Sequence, residues 1–431
     1  MAKRAPFRRY KDELESGLKV ITVELEHLHS ASVVMYARVG SRYESERDNG
    51  LSHFLEHMLF RGTARLPDAY RLNRAIEELG GTLYAETGRD YSLYQISLHP
   101  ETLAEGLELF GEIFAQPAFA DVDVERRIVL EEMHEDHDDD GQLVNIDDLA
   151  RLAVWPDHPL GYRITGPYEN VERFDDADVR RHFASHYGAR NMVLTISGNV
   201  KRDDIVGTLH RAFGSLPSGE ALEVTPPPES QTEARFLYVP RQGSQTNVQI
   251  LFRAIPETDP DFPALIALGR IVDDGMSTRL HRRIVDELGL AYYVSASLDP
   301  FVDAGLYDID GACVHGHAPA LVREGIAVLA RLRDTPPLQE ELDKAQRRYR
   351  WDLEASFDDP DAMAGWWGGT ELFFGPLTVE AKVERVKKVT PEAVQRVAQR
   401  LIRPERLTVA CVGRLTKKLE RQVRGIVEKF K

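Results

Sequence analysis

Two histidines lie four residues apart with a glutamate between them, in His53-Phe54-Leu55-Glu56-His57, within the run GLSHFLEHMLFRGT. On a helix, positions i and i+4 point the same way, about 6 Å apart, as two ligands of one metal ion require. Glu56 precedes the second histidine on that face. It is placed to take a proton from water at the metal without being a ligand itself. The order H-x-x-E-H is the reverse of the commoner H-E-x-x-H metal-binding helix.

Two imidazoles leave a zinc ion short of a third protein donor, while a hydrolytic site keeps a fourth position open. A carboxylate from another element would complete the set. The segment ERRIVLEE, Glu125 to Glu132, offers candidates. Glu125 and Glu132 are seven residues apart, close to two helical turns, so they share a face, whereas Glu131 lies about 100° away. His134 and His137 follow and are not needed to complete the set.

These residues must be held by a framework. At 431 residues the chain is too long for one ordinary core and implies two to four domains. No run of eighteen apolar residues occurs, so no membrane span is expected. The basic start MAKRAPFRRYKDELESG has no apolar stretch or cleavage site, so a cytoplasmic protein is expected. The periplasm is the alternative for a chain whose signal peptide has been removed. A net charge of −16 argues against nucleic-acid partners, which call for a basic stripe. Cys313 and Cys411 sit in apolar runs that read as buried strands and make neither a disulfide framework nor a four-cysteine zinc site.

The clearest boundary is the proline-rich stretch LPSGEALEVTPPPESQ. It divides the chain into an N-terminal domain, residues 1–216, a linker, 217–231, and a C-terminal domain, 232–431. The halves look alike. The strand NMVLTISGN before the linker is matched by RLTVACVG near the C-terminus, each followed by an amphipathic helix. We read a tandem duplication of one unit of roughly two hundred residues. In the first half, strands at Leu18–Leu25 and Ala31–Val39 precede helices at Leu51–Arg61 and Asp68–Leu79. A hairpin follows, Thr82–Thr87 and Tyr91–His99 around Gly88-Arg89-Asp90. Helices come next, including Val122–Asp136 and Leu143–Val154. Hairpin-linked strands followed by runs of helices give the α+β class.

The combination of HFLEHMLFRGT, EELGGTLYAETGRDYS and VERRIVLEEM resembles the pitrilysin/insulinase-type zinc peptidases. Their short bacterial, mitochondrial-processing-peptidase-like branch is the nearest likeness, and it runs from about Gly17 to Gly413. The resemblance implies two tandem homologous processing-peptidase-like domains, each an antiparallel-rich sheet covered by helices. It also implies an endopeptidase that hydrolyses unfolded peptides in an enclosed chamber. His53 and His57 resemble the imidazole ligands of one zinc ion per chain, and Glu132 the glutamate ligand. Glu56 resembles the base, and Glu125 the acidic residue behind the ligands. The strand Thr82–Thr87, with Tyr84 and Ala85, resembles the edge on which the family lays out its substrate. Tyr84 stands where the family usually has asparagine.

The second half has no H-x-x-E-H; the matching stretch reads ALIALGR from Ala264. There the family presents an arginine and a tyrosine seven residues apart that hold the substrate carbonyl. Tyr292 matches the tyrosine, but Val285 stands at the arginine position, and Arg282 and Arg283 would point elsewhere. One missing oxyanion donor typically costs roughly a hundred- to a thousand-fold in rate. A related second subunit that supplies an Arg/Tyr pair is therefore expected, with a homodimer as the alternative assembly. The rival functional reading is a non-catalytic scaffold subunit. Trp366-Trp367 in AGWWGGT is expected to be either packed core or a cavity lining.

Overall fold

A computed structural model describes residues 7–431. The polypeptide divides into two compact units. The first contains the chain up to Met133, Tyr162–Val224 and Leu353–Leu377; the second contains His134–Gly161, Thr225–Asp352 and Thr378–Lys431. The units thus cut across the two halves expected on either side of residues 217–231, although that stretch carries neither helix nor strand.

The first unit is built on a six-stranded sheet. Its strands are β1 (Arg8–Glu13), β2 (Lys19–Glu24), β3 (Ala31–Ala37), β4 (Thr82–Thr87), β5 (Ser92–Leu98) and β6 (Met192–Gly198), in the order β1-β2-β6-β3-β5-β4. Only β2 and β6 run parallel; the other pairs are antiparallel. The expected hairpin forms, with the Gly88 N–H donating to the Tyr91 carbonyl at 2.8 Å. The sequence reading did not anticipate β1. Its residues, RRYKDE, carry charge on both faces, and its place is set by backbone pairing to β2.

The first unit's helices include α1 (Leu51–Leu59), α2 (Ala69–Glu78), α3 (Leu103–Ala115) and α4 (Val122–Met133). Leu51, Phe54, Leu55 and Met58 of α1 are fully buried, as are Leu107 and Phe110 of α3. They share one core with Val33 and Met35 of β3. The helix expected over Val122–Asp136 ends at Met133 and continues as a tighter turn, His134–Asp136.

The opposite face of this sheet is covered by residues from far along the chain. Tyr36 of β3 meets Gly365, Gly368 and Gly369. A Cβ at Gly368 would collide with Thr195 Oγ1, so only glycine allows this approach. Trp366 and Trp367 are buried, with the Trp366 indole N–H bound to the Leu377 carbonyl at 2.9 Å. The Arg9 guanidinium lies 4.0 Å above the Trp367 ring. The tryptophans are packed core.

The second unit repeats the design. Its strands are β7 (Arg235–Pro240), β8 (Thr246–Ala254), β9 (Tyr293–Pro300), β10 (Gly305–Cys313) and β11 (Leu407–Gly413), in the order β7-β11-β8-β10-β9. Again one pair, β7 with β11, is parallel. This is the order and sense of β2-β6-β3-β5-β4, so each unit is an antiparallel-rich α+β sheet. A buried cluster joins the helix Phe262–Val272, the helix Ala318–Asp334 and the helix Pro391–Leu401 to one face. On the other face lies α5 (Ile146–Val154), a segment of the N-terminal half. Its Ala150 and Val154, with Trp155 and Leu160, pack on Leu251, Leu306 and Ala410. Apolar contact with this sheet is what groups residues 134–161 with the second unit. No helix among the described residues is long and apolar enough to cross a membrane.

Candidate metal centre

Helix α1 begins without a side-chain cap of its own. Gly50 occupies the cap position with φ +104°, and a Cβ there would meet the Thr165 carbonyl at 2.6 Å. The buried carboxylate of Glu44 does the capping instead. It accepts from the Gly50 N–H at 2.9 Å, the Ser52 N–H at 2.6 Å and Asn49 Nδ2 at 2.9 Å. These donors offset part of the desolvation that raises the Glu44 pKa. The helix is thus held at its first turn and by its apolar face, and the histidines occupy the remaining edge.

Across from α1, helix α4 buries Val129 and Met133 in the same core and turns Glu125 and Glu132 toward the histidines. Glu132 reaches both rings: Oε1 lies 3.5 Å from His53 Nε2, and Oε2 lies 3.5 Å from His57 Nε2. One donor atom from each of His53, His57 and Glu132 lies within 4.8 Å of the others, a grouping not repeated among the described residues. A tetrahedral zinc with bonds of about 2.0–2.1 Å would set its donors about 3.3 Å apart. The three residues fit that ion. Glu131 and Glu132 are both exposed, but Glu131 lies about 100° round the helix from Glu132.

Glu125 is buried, and its Oε1 accepts from His57 Nδ1 at 2.8 Å. That bond places the ring proton on Nδ1 and leaves the Nε2 lone pair facing Glu132. Arg61 backs the carboxylate, with Nη1 3.4 Å from Glu125 Oε2. Burial alone would lower the His57 pKa. The hydrogen bond and charge of Glu125, with the charges of Glu56 and Glu132, outweigh it and raise the pKa. Glu132 is lowered, chiefly by its hydrogen bond to His53, against a smaller desolvation effect. The surroundings favour positive charge among these groups, as a cation site requires.

Glu56 is half-buried beside the trio, and its Oε2 accepts from Thr87 Oγ1 at 2.5 Å. Thr87 ends β4, so the candidate base is tied to the strand at the sheet edge. β4 pairs with β5 on one side only. Tyr84 is exposed and Ala85 half-buried on it. The Tyr84 hydroxyl donates to Glu86 Oε2 at 3.2 Å, and Tyr91 donates to Glu86 Oε1 at 2.9 Å.

Tyr292 belongs to the second unit, directly before β9, and is 95% exposed. Val285 packs against that unit's apolar cluster. Arg282 is paired with Glu287, and Arg283 with Glu287 and Glu324, so neither stands in for the missing arginine. The structure therefore brings together His53, Glu56, His57, Glu125 and Glu132, all in the first unit; Tyr292 belongs to the second. Sequence reasoning missed Glu44, Arg61 and Thr87. Arg61, four residues after His57, lies just past the end of α1 but within the helix expected from sequence; Glu44 caps N–H groups six and eight residues on, and only Thr87 reaches the site through a distant contact.

A two-unit α+β framework with two histidines and a glutamate converging beside a second glutamate defines a peptidase-type protein. Family comparison agrees. Residues 19–168 match the insulinase (peptidase family M16) model, and residues 173–349 match the M16 inactive-domain model. The chain belongs to the insulinase-type M16 peptidases. It is 28% identical over 418 residues to an uncharacterised zinc protease of Streptomyces coelicolor, covering 94% of this chain and 89% of that one. A second uncharacterised zinc protease, from Mycobacterium leprae, is 29% identical over 96% of this chain and 94% of its own. Among solved structures, a protease from Helicobacter pylori superposes with a TM-score of 0.88 at 21% identity, over 95% of this chain and all of that one. A structure titled peptidase M16 inactive domain, from Pseudomonas fluorescens, gives 0.86 at 20% identity, over 95% and 99%. At such identities the structural likeness speaks for the fold.

Proposed function

We propose that this chain is a zinc endopeptidase acting on unfolded peptides, and that it is the metal-bearing subunit of a two-chain enzyme. The observation that carries the first part is the convergence of His53, His57 and Glu132 with Glu56 beside them. These three side chains would hold the ion, which when bound supplies the Lewis acidity that makes water a nucleophile near neutral pH. Glu56 takes a proton from the attacking water at Oε1, because Oε2 is held by Thr87, and returns it to the leaving amine nitrogen. Glu125 keeps the His57 proton on Nδ1 throughout. The free edge of β4 offers backbone groups to an extended peptide whatever its sequence, and Tyr84 and Ala85 flank it. A folded substrate has most of its backbone groups already paired.

The second part rests on Val285. With no arginine there, this chain lacks a preorganised donor for the oxyanion. A related subunit supplies an Arg/Tyr pair, and two copies of this chain could not, because both carry valine. The test is metal analysis of the purified chain together with cleavage of a quenched unstructured peptide, alone and with candidate partners. One zinc per chain, weak cleavage alone and strong cleavage with a partner are expected. Efficient cleavage by the isolated chain removes the partner; zinc binding with no cleavage in any assembly points to a non-catalytic subunit.

A further inference from the structure

The hydroxyl that touches Glu56 is the first of a buried series. Thr87 Oγ1 donates to Glu56 Oε2 at 2.5 Å, and Ser92 Oγ lies 3.4 Å behind Thr87 Oγ1. Ser92 Oγ also donates to the Val39 carbonyl at 3.2 Å, and the Tyr187 phenol near it lies 2.5 Å from the Tyr94 phenol. Ser92 and Tyr94 are fully buried, and Thr87 and Tyr187 nearly so. Around Tyr94 stand Phe60 and Phe114, at ring separations of 6.0 and 5.4 Å.

Four hydroxyls in an apolar core are costly unless each is hydrogen-bonded, roughly 1–3 kcal/mol for one left unpaired. Valine would fill the Thr87 position with the same shape, suit a strand at least as well and bring no hydroxyl to satisfy. The series also has no outlet. It ends at Tyr94, which has no exposure, so it cannot pass a proton to solvent. Its outer end does one thing: it fixes one oxygen of a half-buried carboxylate beside two histidines. Among the described residues nothing hydrogen-bonds the other oxygen, Oε1.

We propose that Thr87 is the positioning residue for the base, and that Ser92, Tyr187 and Tyr94 hold Thr87 in the rotamer that does so. Pinning Oε2 selects one orientation of the Glu56 carboxylate and leaves Oε1 to accept the proton. The same residue closes β4, so the strand that offers its edge to the peptide also sets the base that acts on it. This inference rests on the peptidase reading above.

Thr87→Val removes the hydroxyl and keeps the shape; Thr87→Ser keeps the hydroxyl. The enzyme is assayed in the assembly that gives full wild-type turnover, with zinc content measured in each variant. Thr87→Val should lower kcat about 10- to 100-fold, as small misplacements of a catalytic group do, with KM within about twofold and zinc retained. Thr87→Ser should recover most of kcat. A crystal structure of Thr87→Val should show Glu56 Oε2 away from its present position. Tyr187→Phe, two links back, should lower kcat by a smaller factor at unchanged KM, and it serves if Thr87→Val fails to fold. Unchanged kcat in Thr87→Val, equal losses in both Thr87 variants, or a loss that follows loss of zinc would overturn the proposal. Failure of the underlying reading looks different: Glu56→Gln would keep turnover, or zinc-loaded wild type would cleave nothing with any partner.

Discussion

The two sheets share a strand order and a single parallel pair at the same place, yet among the described residues only the first unit carries a trio that could hold a metal ion. Where the first unit has α1 with His53, Glu56 and His57, the second has the helix Phe262–Val272, whose Ala264, Leu265 and Leu268 are buried. The difference lies in side chains, not in backbone. A helix packed by one apolar face keeps an edge free, and what occupies that edge is nearly independent of the fold. In the first unit that edge carries the candidate site, and its surroundings support it: Glu44 caps the helix, Glu125 orients His57, and Thr87 holds Glu56.

The harshest way to erase the contrast is to remove the proposed base alone. Glu56→Gln leaves all three candidate ligands and should keep zinc and fold, while peptide hydrolysis falls about 10²- to 10⁴-fold. Turnover of a zinc-loaded Glu56→Gln sample at the wild-type rate would show that another group takes the proton.

Next in size is the ligand set. Glu132→Gln removes the anionic donor that lies 3.5 Å from both imidazole Nε2 atoms. Chelator competition should show zinc affinity falling more than about 100-fold, beyond what loss of a residue behind the ligands typically costs. Glu131→Gln, on an exposed side of α4, should change it little. Equal losses would mean that the face shared by Glu125 and Glu132 is not the one that meets the metal. Glu125→Gln should fall between, at about 10- to 100-fold, because it removes the carboxylate charge that holds the His57 ring without deleting a donor.

Much of this was legible in the sequence, for reasons that particular residues show. H-x-x-E-H spacing on a helix and the seven-residue step from Glu125 to Glu132 are local periodicities, and both elements formed within a few residues of expectation. The hairpin of β4 and β5 was announced by its turn residues. What was not legible is what depends on contact between distant segments. β1 has no apolar alternation to betray it. α5 reads as an amphipathic helix in the N-terminal half, but nothing local says that its apolar side belongs on the second sheet. Glu44 and Thr87 look like ordinary loop and strand residues until the fold sets one under the helix N-terminus and the other against the base.

The smallest expected effect separates the two units by what each does with buried carboxylates. In the first unit, the buried Glu125 answers to an imidazole. In the second, Asp308 on β10 is buried under α5, and burial pushes its carboxyl up to about 7, against Gln249, which donates at 2.7 Å, and the charge of Arg151. Arg151 of α5 is already engaged by Asp147 at 3.0 Å and Asp299 at 3.2 Å. Asp147 and Asp310 add like charge near Asp308. The folded-state pKa lies above the unfolded value of about 4, so the folded state binds the extra proton. The stability linked to that proton is complete below pH 4 and is lost as pH rises through 7. Asp308→Asn is uncharged at every pH and keeps an oxygen for Gln249. Relative to wild type it should gain about 2–3 kcal/mol between pH 5 and pH 8, read as a growing difference in melting temperature. A difference that stays flat across that range would mean that Asp308 is ionised and paired throughout, and that the second unit keeps a buried charge as securely as the first.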